Sequence, residues 1–337
     1  PVPAFDAAAA SELLSSHYGI DAGLSPLSSE RDQNFLVDAG DAGRFVLKFA
    51  SLAEPASVTD FQNQALEHLA ARDPSFPAPR VVRTKDGERM FEAKSASGDA
   101  HRVRLLTWLA GVPLDEAGGV ASVAAPMGET LARLGQLLGD FEHPGSRYGL
   151  AWDIHNAAEL AELLPHVGDD GLRALCEERI RRFGELVVPR QGRLRQQVIY
   201  NDMNPSNLLV DPDNVDRLVG VIDFGDMVHS ERVNDVAIAA AYLCRTDGDP
   251  FAEVVEFLSA YSRVAPLDDE EIDLLPELIP ARHLTTVMIS HWRSAMYPEN
   301  REYILRSEKR ARRMLEIVAS SNIEANRERF RDACRSR

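Results

Sequence analysis

Three side chains in one short stretch, Val198 to Asp226 (VIYNDMNPSNLLVDPDNVDRLVGVIDFGD), have the types and spacing to do chemistry. Asp202 and Asn207 share a loop with four residues between them, and Asp223 closes the apolar run VGVID, which reads as a buried strand. Two acids and an amide are what phosphoryl transfer asks of a protein: an acceptor for the attacking hydroxyl's proton and two oxygen ligands for Mg2+. Asn204-Pro205 and Asp211-Pro212 taken alone are ordinary turn formers and mean only loops. Both halves at this separation, with a turn-linked strand pair between them, favour a site over coincidence.

The Asp-x-x-x-x-Asn spacing followed by Asp-Phe-Gly resembles the catalytic loop and metal-binding turn of protein kinases. Further stretches carry a wider resemblance: SERDQNF (29–35), VLK (46–48), FQNQAL (61–66), RLLTWLAG (104–111), NDMNPSN, VIDFGDM and YPENREY (297–303). Together they resemble the aminoglycoside phosphotransferase and choline kinase superfamily, and within it the hydroxylysine kinases and related bacterial kinase modules. The resemblance implies an α+β, protein-kinase-like two-lobed fold: a β-rich N-lobe over 1–106, a hinge at 107–111 and a helical C-lobe over 112–337. The nucleotide, ATP or GTP, then lies in the cleft between lobes, and the reaction moves its γ-phosphoryl to a hydroxyl of a small molecule. An amino-bearing, hydroxylysine-like alcohol is the expected acceptor, with an aminoglycoside antibiotic as the alternative.

Roles follow residue by residue. Asp202 takes the proton, Asn207 and Asp223 hold Mg2+, and Lys48 pairs with the α/β-phosphates. Read without the resemblance, Lys48 is a solvated strand lysine. The loop at 28–34 has no glycines, so Ser28, Ser29 and Arg31 supply the phosphate contacts. Gln62 falls where the superfamily's helix Glu holds the lysine, with Asp60 and Glu67 as rival partners. The base edge is read by backbone groups between Thr107 and Leu109. Asp226 is a third acid near the metal, a contact for a substrate amine, or structural, and Trp292, Arg293 and Tyr297 line the substrate cleft. The chain has Tyr200-Asn201 where the superfamily usually has His-Gly, and a Tyr hydroxyl takes over the bracing of the loop. Tyr200 and Gln62 together keep open a third reading, a nucleotide-binding regulatory module without turnover. Related modules occur fused to aminotransferases, and a start at Pro1 without Met suggests a trimmed chain.

The totals agree with a globular protein of 337 residues, 45% hydrophobic and 27% charged. A net charge of −16 argues against nucleic acid or an anionic membrane as partner and suits a cationic small substrate or plain solubility. Cys176, Cys244 and Cys334 are far apart with no Cys-x-x-Cys, which speaks for a reducing cytoplasm and against a disulfide framework. No apolar run approaches the roughly 20 residues of a membrane span, and no signal peptide is recognised.

Around these side chains the patterning places the elements. A helix covers 5–18 with Leu13 and Leu14 inward, and a hairpin turns at Gly40/Gly43 with Lys48 in its second strand. A helix follows over 57–71, then a strand after Pro74 and a charged hairpin at 85–88. Met127, Leu131, Leu134, Leu138 and Phe141 keep helical spacing up to His143-Pro144-Gly145, and two helices fill 157–187. Asp153 and His155 read as cap or surface groups. Residues 227–232 read as a loop, Asn234-Asp235 as the start of an apolar helix whose Asp235 braces the catalytic loop. A helix over 280–297 carries His283 and His291, too far apart for one metal, and the basic run at 309–313 reads as a solvated face.

Overall fold

The structure is a computed structural model describing residues 3–29, 31–118 and 123–336. Helix makes up 53% of the chain and strand 16%. It divides into two compact units: Pro1–Gly111 with Phe141–Tyr148 and Val219–Ile222, and Val112–Asp140 with Gly149–Leu218 and Asp223–Arg337. The first boundary falls at the end of the expected hinge, but two later segments return to the first unit, which nothing in the sequence pattern announces.

In the first unit, α1 (Ala7–Tyr18) is capped by Asp6, whose carboxylate accepts the Ala9 N–H at 2.7 Å, and ends at left-handed Gly19. Leu14 is buried and Leu13 half-buried. Six strands follow: β1 (Gly23–Leu27), β2 (Gln33–Asp38), β3 (Arg44–Phe49), β4 (Val81–Val82), β5 (Phe91–Lys94) and β6 (Ala100–Thr107). They form one antiparallel sheet in the order β1-β2-β3-β6-β4, with β5 also on β6. Alternation fixes the faces: Phe35 and Val37 point into the core while Asp38 is exposed, and Leu47 and Phe49 join them from β3. The turn at 85–88 is closed by the Thr84 N–H on the Glu88 carbonyl and the Gly87 N–H on the Thr84 carbonyl, both at 2.9 Å. Its flanking strands nevertheless share one partner, β4 pairing with Leu105 and Leu106 and β5 with residues 100–103 of β6. Helix α2 (Ala56–Arg72) lays Val58, Phe61, Ala65, Leu66 and Leu69 inward. Phe141 is not on the helix expected for it; it belongs to this unit and stacks on Phe61 with centroids 6.0 Å apart.

The second unit opens with β7 (Val112–Pro113), α3 (Leu114–Ala117) and α4 (Ala124–Leu138). Its other helices are α5 (Asp170–Leu186), α6 (Val188–Gln191), α7 (Arg232–Leu243), α8 (Ala252–Val264), α9 (Asp269–Met296), α10 (Arg301–Ile304), α11 (Glu308–Ser320) and α12 (Ile323–Arg335). A 3-10 stretch, Glu159–His166, stands where the first of two α-helices was expected. The strands β8 (Gln196–Ile199), β9 (Leu208–Asp211), β10 (Asn214–Val221) and β11 (Val228–Glu231) build two small sheets, β10-β9-β7 and β11-β8. Residues 228–231, expected as loop, are therefore a paired strand. Helices α4 and α8 approach so closely that a Cβ on Gly128 would lie 2.4 Å from the Phe257 carbonyl. The helix expected at 280–297 is the second half of 28-residue α9, which begins at an Asp268/Glu271 capping box and continues through Pro276 and Pro280. Each proline removes a helical N–H. The surrounding burial of Leu275, Leu278, Ile279, Val287 and Met288 holds the helix together regardless.

One polar network locks this unit's middle. Glu231 has a fully buried side chain, and its carboxylate accepts hydrogen bonds from Gln196 Nε2 at 3.0 Å and Asn234 Nδ2 at 2.9 Å. His155 Nδ1 lies 2.9 Å from the same carboxylate. Asp153 caps the short turn at Ile154–Asn156 and accepts the Ser230 hydroxyl at 2.9 Å, so neither residue is a loose surface group.

The hydrogen bond to Glu231 raises the His155 pKa. Burial pushes Glu231 up, but His155 brings it below the ordinary value overall. The histidine's contribution is full below its unfolded pKa of about 6.5 and is lost as pH rises through the folded value; the glutamate's is present above about 4.3 and is lost on acidification. Melting temperature should thus fall between pH 6 and 8 in the wild type. His155→Gln should flatten that fall, and thermal denaturation across the range checks it.

Candidate active site

The loop after β8 is positioned from behind. Asp235, buried on the first turns of α7, accepts the backbone N–H of Tyr200 at 3.0 Å and of Asn201 at 2.8 Å. Burial pushes its carboxyl up to about 6 although both hydrogen bonds pull the other way. The bracing expected of Asp235 is present, but the amides it satisfies are the loop's and not its own helix's. Tyr200 is wholly buried and packs edge-on against Phe224, with centroids 5.1 Å apart.

Asn201 and Asp223 have φ of 67° and 55°, the two non-glycine residues with positive φ among those described. Asn tolerates the left-handed region better than most residues, which accounts for Asn201 where the superfamily has Gly. Both polar atoms of its side chain are buried without a hydrogen-bond partner. Such local strain clusters at functional sites.

Beyond the brace, Asn204 Oδ1 accepts the N–H groups of Ser206 at 2.9 Å and Asn207 at 3.2 Å, forming the turn Pro205–Asn207. That turn points the Asn207 amide back: its Nδ2 donates to Asp202 Oδ2 at 2.8 Å and to the Asp202 carbonyl at 3.0 Å. The other carboxylate oxygen, Oδ1, accepts from Arg282 Nη2 at 3.0 Å. Asp202 keeps 18% of its side chain exposed, against 6% for Arg282. Burial pushes the Asp202 carboxyl above the ordinary range, Arg282 pulls it back, and the charges of Asp226 and Asp223 raise it again. Asp223 is exposed, and its Oδ1 accepts the Gly225 N–H at 3.2 Å. A Cβ on Gly225 would come within 2.9 Å of that oxygen, so a larger residue there would displace the Asp223 carboxylate.

The donor set suits a hard cation. With Asn207 Nδ2 committed to Asp202, the amide oxygen is the atom left for a ligand, and Asp223 offers carboxylate oxygens. Among the described residues no cluster of three or more His, Cys, Asp or Glu side chains could hold a metal. Mg2+ needs no such cage, since it is usually bound by one or two protein oxygens, waters and substrate phosphates.

The first unit carries the remaining expected phosphate contacts. Lys48 Nζ is 3.9 Å from Asp32 Oδ2, so its carboxylate partner is neither of the expected acids of α2. Asp60 lies against His143 and Arg89, and Glu67 takes Arg83 and Arg89. Gln62 is engaged by Arg104 and by Glu54, whose Oε2 accepts its amide at 3.1 Å. Asp32 also ties the loop, taking the Ser51 N–H at 3.0 Å while its own N–H reaches Ser29 Oγ at 3.3 Å. Ser28, Ser29 and Arg31 are exposed, and Glu30 of the same loop lies outside the described residues. The Thr107 N–H is spent on the Arg80 carbonyl at 2.9 Å and the Trp108 N–H on Arg44 at 3.0 Å, which removes both as donors to a base edge. Leu109 stays available.

The chain matches the phosphotransferase enzyme family (APH) over residues 23–275. It belongs to that family. Hydroxylysine kinase of Mus musculus is 28% identical over 326 residues, covering 90% of this chain and 86% of that protein. Homoserine kinase of Methylobacillus flagellatus is 31% identical over 245 residues, 71% of this chain and 70% of the relative. Amicoumacin kinase, solved in complex with AMP-PNP, Ca2+ and Ami, superposes with a TM-score of 0.70 at 13% identity, over 95% of this chain and 97% of its own. The phosphotransferase thus has the kinase-like fold, with an antiparallel sheet in its first unit and helices dominating the second.

Of this phosphotransferase's expected substrate residues, Trp292 and Arg293 are half-buried near the end of α9 and Tyr297 is 52% exposed just beyond it. Arg293 lies about 16 Å along the helix from Arg282 at 1.5 Å per residue. The side chain that α9 brings to Asp202 is therefore Arg282, which sequence reasoning passed over for its neighbour His283. A signal was there: Arg282 lies in the largely apolar stretch Leu274 to Ile289, whose other charged residue is Glu277, and an arginine in such a helix must find a partner. His283 is itself buried, and burial lowers its pKa to about 3.

Asn201→Gly should stabilise the protein, since it removes a buried unpaired amide and relieves positive φ. The expected gain is about 1 kcal/mol, read as a higher denaturant midpoint at unchanged slope.

Proposed function

We propose that this phosphotransferase moves the γ-phosphoryl of ATP or GTP, with Mg2+, onto the hydroxyl of a small amino-bearing alcohol of the hydroxylysine type. The observation that carries the reading is Asp202, an acid held at both carboxylate oxygens yet still partly open to solvent. The likeness to hydroxylysine kinase across 90% of the chain supports the acceptor class.

In this reading Asp202 orients the acceptor hydroxyl and takes its proton late, when the bond to phosphorus is already forming. A carboxylate oxygen has room for more than one hydrogen bond, so the hydroxyl can be accepted while Asn207 and Arg282 stay in place. Asn207 and Asp223 would hold Mg2+, which supplies charge neutralisation at the phosphate oxygens. Lys48 binds the α/β-phosphates and Asp32 releases it on their arrival, while Ser28, Ser29 and Arg31 line the phosphate loop. Asp226 offers a carboxylate to the acceptor's ammonium, consistent with the −16 net charge favouring cationic substrates. A loose transition state asks for positioning and charge more than covalent chemistry.

A panel of hydroxylysine, homoserine and aminoglycosides under a nucleotide-turnover assay tests the acceptor; turnover confined to aminoglycosides would reject the amino-alcohol reading. Asp202→Ala should lower kcat by about 10²–10⁴-fold. Retention of near-wild-type turnover in that variant would remove Asp202 from the reaction. Asp223→Asn should raise the Mg2+ concentration for half-maximal rate about tenfold, read from metal titrations, whereas unchanged metal dependence would exclude Asp223 as a ligand.

A further inference from the structure

Arg282 is 5% exposed, yet its guanidinium is not fully used. Nη2 donates to Asp202 Oδ1 at 3.0 Å and to the Tyr242 hydroxyl at 2.8 Å. Nη1 reaches the Trp152 carbonyl at 3.4 Å, and Nε is buried without a partner. Two aromatic faces hold the plane, with the Arg282 Cζ 5.2 Å from the Trp152 ring centroid and 5.5 Å from that of Tyr242. A buried arginine that served stability alone would be expected to satisfy its donors. This one leaves Nε unpaired while directing Nη2 at a single carboxylate oxygen.

We propose that Arg282 is a positioning residue for Asp202: its guanidinium, set by Trp152 and Tyr242, fixes Oδ1 while Asn207 fixes Oδ2, so that the remaining lone pairs face the acceptor hydroxyl. The inference rests on the proposed role of Asp202. Without Arg282 the carboxylate keeps only amide restraints, from Asn207 and Asn204, with no balancing charge, and the negative charges of Asp226 and Asp223 push it. A lysine keeps the charge but not the planar group that lies against Trp152 and Tyr242 and reaches Asp202 and the Trp152 carbonyl from two nitrogens. Misplacing a reacting group by about 1 Å costs on the order of 100-fold in rate.

The test compares R282A, R282K and Y242F in the full chain. R282A should lose about 100-fold in kcat with nucleotide KM within about threefold, and guanidinium ion should restore part of the turnover. R282K should recover only a minor share. A purely structural role predicts a lower melting temperature with kcat per folded molecule intact, and an R282A kcat within threefold of wild type overturns the proposal. Should R282A not fold, Y242F, which keeps the ring and the charge, decides: kcat about fivefold or more below wild type supports positioning, and an unchanged kcat rejects it. A crystal structure separates this inference from the reading beneath it. If the wild type turns over no acceptor, the proposed function fails, and the Asp202 carboxylate then settles positioning alone. Rotation away from Asn207 Nδ2 in R282A, or in Y242F where R282A does not fold, supports the inference; an unmoved carboxylate overturns it.

Discussion

The hydrogen bonds from the Tyr200 and Asn201 amides to Asp235 are the constraint on which the rest of the site depends. A strand that ends with two free N–H groups inside a protein must find acceptors, or the burial that holds Tyr200 would cost more than it returns. Asp235 supplies both acceptors at once from a helix whose residues Val233 to Ala241 are all buried. The loop is thereby fixed to the best-packed part of the second unit, and the left-handed turn at Asn201 becomes tolerable. Asp202 follows immediately, so its backbone is placed independently of its own side-chain contacts. The Pro205–Asn207 turn then returns an amide to that carboxylate.

Much of this was legible in the sequence because it is local. Spacing along one segment places Asp202, Asn207 and Asp223, and alternation along β2 and β3 sets the sheet that carries Lys48. Contacts over long sequence separations were not legible. Nothing in the pattern around Arg282 says that its partner lies 80 residues earlier, and nothing around Asp235 names the amides 34 and 35 residues before it. Pairing register was lost the same way: the turn at 85–88 has hairpin chemistry, yet two strands share one partner, and the real neighbours of Val81 and Val82 are set by β6. Helix length failed at Pro276 and Pro280, where local propensity predicts a break and burial overrules it.

The lysine of the first unit shows how composition redirects a familiar arrangement. Position 62 holds an amide, which cannot neutralise an ammonium, and Arg104 with Asn63 and Glu54 occupies that stretch of α2. The charge that balances Lys48 comes from Asp32, at the end of the loop that carries Ser29. Lysine and loop are therefore joined to each other and not to the helix. The Asp32 carboxylate that faces Lys48 also accepts the Ser51 N–H, while the Asp32 backbone N–H donates to Ser29 Oγ, so one residue ties the lysine to the loop.

The second unit faces the opposite electrostatic problem. The charges of Asp226 and Asp223 act on Asp202, and burial around Asp202 strengthens the repulsion. The fold must hold Asp202 against that repulsion. A permanent buried guanidinium between two aromatic rings meets that need without occupying the open edge of the carboxylate. It also explains why α9 is long and continuous through two prolines. Arg282 sits six residues beyond Pro276 and two beyond Pro280, so a break at either would swing it off Asp202. The packing that overrules the prolines and the charge that steadies the acid are thus one requirement, met by a single helix.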